Sequence, residues 1–265
     1  MSATQSSAAG TQVLRRVGEI LRFVALNRGA GTRLVDIAEA LRLQRPTAHR
    51  LLQGLVAERM LIRGEAKRYE LGPSLCELGL IAGTHFALLE FFKPAVARIV
   101  DTTGDTVVLT VRSGNNGVVV DRRSGAYPVQ ANAVPMGTRR PLAAGTGGLA
   151  ILSGLNADEA RSIIAHNVTQ LARIPHKTQA ELTAQVDKAR AAGFVVHEML
   201  YTQPAIAAVG VPVFGSYGGP IAGLSVRTLA TRLNAKRRHQ VARILQAEAE
   251  TILQALRDEA GIPRK

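Results

Sequence analysis

Between residues 43 and 53 the chain reads LQRPTAHRLLQ, which threads Arg45, Thr47, His49, Arg50 and Gln53 between Ala48, Leu51 and Leu52 and supplies no carboxylate. Guanidinium, imidazole, hydroxyl and amide groups without an acid among them form the set that bonds to base edges and phosphates. An Arg there can fork onto the O6 and N7 atoms of guanine. At 100° per residue, Ala48, Leu51, Leu52 and Leu55 gather on one side of a helix. Pro46, His49, Arg50 and Gln53 fall on the other side, with Thr47 at its flank. Pro46 sits in the first turn, where a missing N–H costs nothing. The plainer alternative is an ordinary solvated helix face.

Such a face needs elements that hold it outward. Upstream, Val13, Val17, Ile20, Leu21 and Val24 recur at helical spacing, and NRGAG at 27–31 ends that helix. Thr32 is the expected N-cap of a short second helix carrying Leu34, Ile37, Ala38 and Leu41. The tight turn Arg42-Leu43-Gln44 leads into the polar helix, and two short helices joined this way describe a helix-turn-helix. Downstream, LIRGEAKRYELG at 61–72 reads as two short strands about a Gly-Glu-Ala-Lys turn. Leu61, Tyr69 and Leu71 would pack inward, leaving Arg63, Lys67 and Arg68 outward as a basic wing suited to phosphates.

Charge agrees with a polyanionic partner. The 265 residues hold 33 Lys and Arg against 20 Asp and Glu, a net +13, and basicity of that size favours nucleic acid. Residues 1–73 carry 12 cations against 6 acids, about twice the basic density of the rest. Residue habits of a GC-rich genome are the competing explanation. One Cys, Cys76, excludes an internal disulfide framework and a cysteine zinc site. The N-terminal stretch does not resemble a signal peptide and no apolar run is long enough to cross a membrane, so the cytoplasm is expected.

The order and residues of this first region resemble the IclR family of bacterial transcriptional regulators. The family pattern is a turn, an Arg-x-Thr-x-His-Arg-Leu-Leu recognition helix and a wing ending Arg-Tyr-x-Leu-Gly. Arg45, Thr47, His49, Arg50, Leu51 and Leu52 match it, while Pro46 replaces the usual Ser and removes one phosphate-binding hydroxyl. The similarity extends through GDTVVLTVRSGNNGVVVDRRSG (104–125), MGTRRPLAAGTGGLAIL (136–152) and the segments AAGFVVHE, GVPV and GPIAGLSV within 191–226.

Read on its own, the second part alternates helices and strands: a helix over 93–104, two strands about Gly-Asn-Asn-Gly, and a third strand in YPVQANAV (127–134). Helices over 144–153, 156–168 and 178–192 follow, then strands near 194–200, 206–213 and 220–227 and a long amphipathic helix from Asn234. That order fits an α+β domain with one antiparallel sheet, and the resemblance implies a GAF-like fold with a ligand pocket on the sheet. The expected organisation is two domains, an N-terminal mainly-α winged helix-turn-helix over 11–73 and a C-terminal α+β GAF-like effector domain over 93–259. A linker helix over 74–92 joins them, with flexible tails at 1–10 and 260–265.

The resemblance places the effector pocket at Val129, Met136, Gly137, Leu142, Ala143, Ala144, Ala205, Ile206, Ala207 and Ala208. Ala143 stands where the family has His, and Ala207 and Ala208 where it has Arg and Cys. Losing those anchors predicts a less polar or aromatic effector, or none. The alternative is that these Ala residues simply face the core.

Catalysis finds little support. His49, His85, His166, His176, His197 and His239 show no metal-site spacing, and Gly145-Thr146-Gly147-Gly148 reads as a turn or helix start, too short for a phosphate loop. His197 and Glu198 would point to opposite faces of a strand. The expectation is therefore a transcription factor, with no metal or cofactor, contacting double-stranded DNA through Arg45, Thr47, His49, Arg50, Gln53, Arg63, Lys67 and Arg68. A dimer or dimer of dimers on a near-palindromic site would match two-fold protein symmetry. A winged helix used for protein contacts remains the rival; it would expose apolar residues where this wing has cations.

Overall fold

The computed structural model describes residues 3–27, 31–82, 88–127, 134–171, 178–199 and 204–261. Two compact units divide the chain, Met1–Ala87 and Leu88–Lys265.

In the first unit, α1 (Ala3–Leu26) is followed by β1 (Thr32–Arg33), α2 (Leu34–Ala40) and α3 (Arg45–Ala57). Strands β2 (Leu61–Arg63) and β3 (Arg68–Leu71) and helix α4 (Pro73–Ala82) complete it. Ile20, Val24, Ile37, Leu52, Leu55, Leu61 and Tyr69 form its core, the residues that helical and strand periodicity point inward. Two expectations change. The tail expected over 1–10 is helical from Ala3. Thr32 is not an N-cap: it pairs with Tyr69 in a three-stranded sheet of order β1-β3-β2, and α2 starts one residue later, where the Arg33 N–H donates to Asp36 Oδ2 at 3.2 Å. A buried strand pairing outranks a local cap at that position.

In the second unit, α5 (Leu88–Thr103) precedes β4 (Thr106–Ser113), β5 (Asn116–Arg123) and β6 (Arg139–Pro141). Helices α6 (Thr146–Gly154), α7 (Ala157–Leu171) and α8 (Gln179–Ala192) follow, then β7 (Val195–Met199), β8 (Ile206–Phe214), β9 (Pro220–Leu229) and α9 (Ala235–Glu259). The six strands make one antiparallel sheet in the order β6-β5-β4-β9-β8-β7. The third strand expected in 127–134 falls largely outside the described residues; β6 is what pairs with β5. Residues 83–87, in the middle of the expected linker helix, also lie outside them, and α5 begins at Leu88 and runs through Pro94. Burial of Phe92 beside Ala95, Val96 and Ile99 offsets the hydrogen bond that Pro94 cannot donate.

Each sheet face has its own core. Val107, Leu109, Val209, Val211, Leu224 and Val226 meet α5 and α9 on one side. Around α6, α7 and α8, Leu149, Ile151, Leu152, Ile164, Leu182 and Val186 form a second core. Caps legible in the sequence hold the helices. Thr178 and Glu181 form a reciprocal capping box on α8, and Asn234 Oδ1 accepts from the Arg237 N–H on α9 at 2.9 Å. Where α9 meets the sheet, buried Asp105 accepts from Thr228 Oγ1 and Arg237 Nη2, each at 2.7 Å, with Arg232 Nη2 at 3.3 Å.

Candidate functional site

The outward face of α3 is as its periodicity predicts. Ala48, Leu52 and Leu55 are buried, Thr47 is half-buried, and Arg45, His49, Arg50 and Gln53 are exposed. Pro46 falls in the first turn. Both β2 and β3 present the wing, with Leu61 opposite Leu71 and Arg63 opposite Tyr69. Arg63 and Lys67 are exposed, and the Arg63 guanidinium lies 6.0 Å from the centre of the Tyr69 ring. Arg68 differs: half-buried, it donates from Nη1 to the Gly31 carbonyl at 2.9 Å. That bond fastens the wing to the loop before β1, so Arg68 braces the wing instead of extending from it.

The second unit has a partly open cavity of about 80 Å³ between the sheet and the start of α6. Its position follows from glycine. A Cβ at Gly223 would lie 2.1 Å from the Gly147 carbonyl oxygen, and one at Gly147 would lie 2.5 Å from Thr110 Oγ1, so only glycines let α6 approach the sheet this closely. The expected Gly145-Thr146-Gly147-Gly148 helix start is thus confirmed, and it lines the cavity. Thr110, Thr138, Thr146 and Ser225 contribute hydroxyls, Arg140 and Arg227 guanidiniums, and none of the described lining residues is acidic.

Of the residues placed here by resemblance, Leu142 and Ala144 line the cavity. Ala143 is buried in the neighbouring core, its N–H donating to Asn167 Oδ1 at 3.1 Å. Met136 and Gly137 are exposed and outside the lining, and Val129 lies outside the described residues. Ala205 is half-buried away from the cavity. Ile206 and Ala208 pack with Met199, and Ala207 faces the opposite side of the sheet, in the core with α9. Strand alternation separates Ala207 from Ala208, so Ala207 cannot report on cavity polarity.

The polar groups that residue-by-residue matching missed stand on the adjoining strand. Arg227 of β9 is paired with Ala208 of β8 on one side and Thr106 of β4 on the other, and Ala208 is paired in turn with His197 of β7. His197 is buried, with Nδ1 3.3 Å from Thr146 Oγ1. Glu198 points the other way, to Arg238. A signal existed in the sequence: Gly223, Ser225 and Arg227 alternate with Ala222, Leu224 and Val226, which is a polar face on a strand whose other face is aliphatic.

Comparison with known proteins agrees with both units. The family model for the IclR helix-turn-helix domain matches residues 13–63, and that for the bacterial transcriptional regulator IclR C-terminal domain matches 82–254. The chain is 26% identical over 255 residues to the HTH-type transcriptional repressor AllR of Klebsiella pneumoniae, covering 95% of this chain and 92% of that one. In fold it resembles an IclR transcriptional regulator from Alicyclobacillus acidocaldarius at TM-score 0.74 and 21% identity, covering 92% and 98% of the two chains. It also resembles an IclR homologue from Microbacterium hydrocarbonoxydans complexed with 4-hydroxybenzoate, at TM-score 0.73 and 23% identity, covering 93% and 99%. This chain therefore belongs to the IclR family and is a DNA-binding transcriptional regulator with a C-terminal effector-binding domain.

Proposed function

We propose that this regulator reads a near-palindromic operator as a dimer or dimer of dimers, and that a small organic anion in the C-terminal cavity sets its occupancy of that site. The carrying observation is the acid-free outer face of α3, where Arg45, His49, Arg50 and Gln53 are exposed together. Inserted in the major groove, this face reads bases, while Arg63 and Lys67 of the wing neutralise phosphates. Self-association is supported by Val13 and Leu14 on α1, 47% and 73% exposed, which leave apolar surface outside the core. No described helix is long and apolar enough to cross a membrane; the work assigned to the protein is binding in the cytoplasm, with no reaction of its own.

An anionic effector is favoured by Arg140 and Arg227, by the hydroxyls of Thr110, Thr146 and Ser225, and by the first N–H groups of α6, which have no acceptor within the helix. None of the described lining residues is acidic, so the charge at this site favours an anion over a cation. A cavity of about 80 Å³ has room for several water-sized groups, which accommodates a short-chain acid. The Microbacterium homologue's 4-hydroxybenzoate is likewise an acid, though larger.

The test is selection of bound sequences from random duplex DNA at about 150 mM salt, where nonspecific binding is weak. Wild type would run beside Arg45→Ala/Arg50→Ala, with and without a panel of two- to five-carbon carboxylates. A two-fold symmetric motif lost by the double variant is expected. No enrichment by wild type under any of these conditions would sink the operator reading.

A further inference from the structure

Among the described residues, four that are not glycine have positive φ: Arg42 at 52°, Arg59 at 55°, Ala66 at 55° and Lys67 at 58°. All four lie in the N-terminal unit, and three are cations. Arg42 and Arg59 occupy the same place in the same motif. Past α2, the Arg42 N–H donates to the Glu39 carbonyl at 3.2 Å and the Leu43 N–H to Ala38 at 2.8 Å. Past α3, the Arg59 N–H donates to Val56 at 3.0 Å and the Met60 N–H to Leu55 at 2.9 Å. Such paired bonds close a helix through one left-handed residue, which glycine adopts without the Cβ penalty. Glycine takes that place after α9, as Gly261 at φ 67° with its N–H on the Asp258 carbonyl.

At these places arginine bears backbone strain that glycine would avoid, and supplies a guanidinium that glycine could not. That of Arg59 forms an ion pair to Glu77 of α4 at 3.4 Å. Lys67 stands at the tip of the wing. Arg42 is exposed and forms no ion pair among the described residues, and no acid occurs between Glu39 and Glu58. It stands three residues before Arg45, the first residue of α3, at the end of that helix from which Arg45 and Thr47 project.

We infer that Arg42 is a DNA-backbone contact: its guanidinium pairs with a phosphate beside the bases that α3 reads, and the left-handed arginine persists for that contact. The inference rests on the DNA-binding reading above. It predicts opposite signs for two measurements on one variant, since local strain and phosphate binding are separate properties of the same residue.

The experiment compares full-length wild type, Arg42→Gly, Arg42→Lys and Arg59→Gly. Each is titrated with mixed-sequence duplex DNA and with the selected operator across a salt series, and each is denatured thermally. Arg42→Gly should raise the unfolding midpoint by about 2–4 °C. It should weaken binding to both DNAs by the same factor and lower the slope of log affinity against log salt by about 0.9. Arg42→Lys should keep the slope. Arg59→Gly should keep it as well, because its guanidinium serves α4. An Arg42→Gly protein with the wild-type slope overturns the inference alone, whereas a wild type that binds neither DNA removes the DNA-binding reading and this inference with it.

Discussion

The two units sort their polar groups in opposite ways. In the N-terminal unit the chemistry is outside: His49, Arg50 and Gln53 are exposed over a purely apolar core of Ile37, Leu52 and Leu55. In the C-terminal unit much of it is inside: Asp105, Asn167, His197 and Ser225 are buried, and Arg227 reaches the cavity from a central strand. An outer face can accept a large partner such as DNA with no change of core. An inner one can only enclose a small ligand, and every polar group there needs a partner because water is excluded. The contrast matches a head that binds a surface and a sensor that encloses a molecule.

The largest test of this difference is a pair of glycines. Gly223→Ala places a Cβ 2.1 Å from the Gly147 carbonyl oxygen, and the next nearest atoms are also Gly147 backbone. Overpacking between β9 and α6 should cost about 3 kcal/mol or more. Gly54, on the exposed face of α3, has nothing within 4 Å of an added Cβ, so Gly54→Ala should stabilise by about 0.5–1 kcal/mol through helix propensity. Chemical denaturation of both variants reads the signs. Equal and small effects would mean that α6 slides freely on the sheet and that the cavity has no fixed floor.

A smaller effect sharpens the view of the cavity. Arg227→Met keeps the aliphatic stem and removes the guanidinium, which should weaken carboxylate binding by about 2 kcal/mol, roughly thirtyfold. Stabilisation of the protein by two- to five-carbon acids in thermal denaturation provides the readout. If wild type responds instead to neutral apolar compounds, the less polar effector inferred from Ala143 and Ala208 is the better description.

The two units were also unequally legible. Helix periodicity alone oriented α3, because an exposed helix face is a local property of its own sequence, and Leu61, Tyr69 and Leu71 oriented the wing in the same way. Thr32 was misplaced because its partner, Tyr69, lies far along the chain, and no local cap signal carries that pairing. The cavity shows the same limit more strongly. Ala207 and Ala208 could be matched to a pattern but not assigned a face, since a one-residue step on a strand exchanges the two sides of the sheet. The alternation of Gly223, Ser225 and Arg227 marks a polar strand face, but the pairing with Ala208 across the ladder is needed to set Arg227 beside β8.

The smallest effects divide the wing. Lys67 and Arg68 are neighbours of like charge, and composition alone gives them one role. Lys67 is exposed in the turn, whereas Arg68 donates to the Gly31 carbonyl at 2.9 Å. Lys67→Ala should leave stability unchanged and lower the salt slope of DNA binding by about one unit, a several-fold loss near physiological salt. Arg68→Ala should cost about 1 kcal/mol of stability through the lost bond, with the slope of the folded protein kept. Salt titrations of the two variants on one duplex decide it. If Arg68→Ala lowers the slope as much as Lys67→Ala does, the bond to Gly31 yields to a phosphate when DNA binds, and the wing rearranges on the backbone instead of docking as a preformed brace.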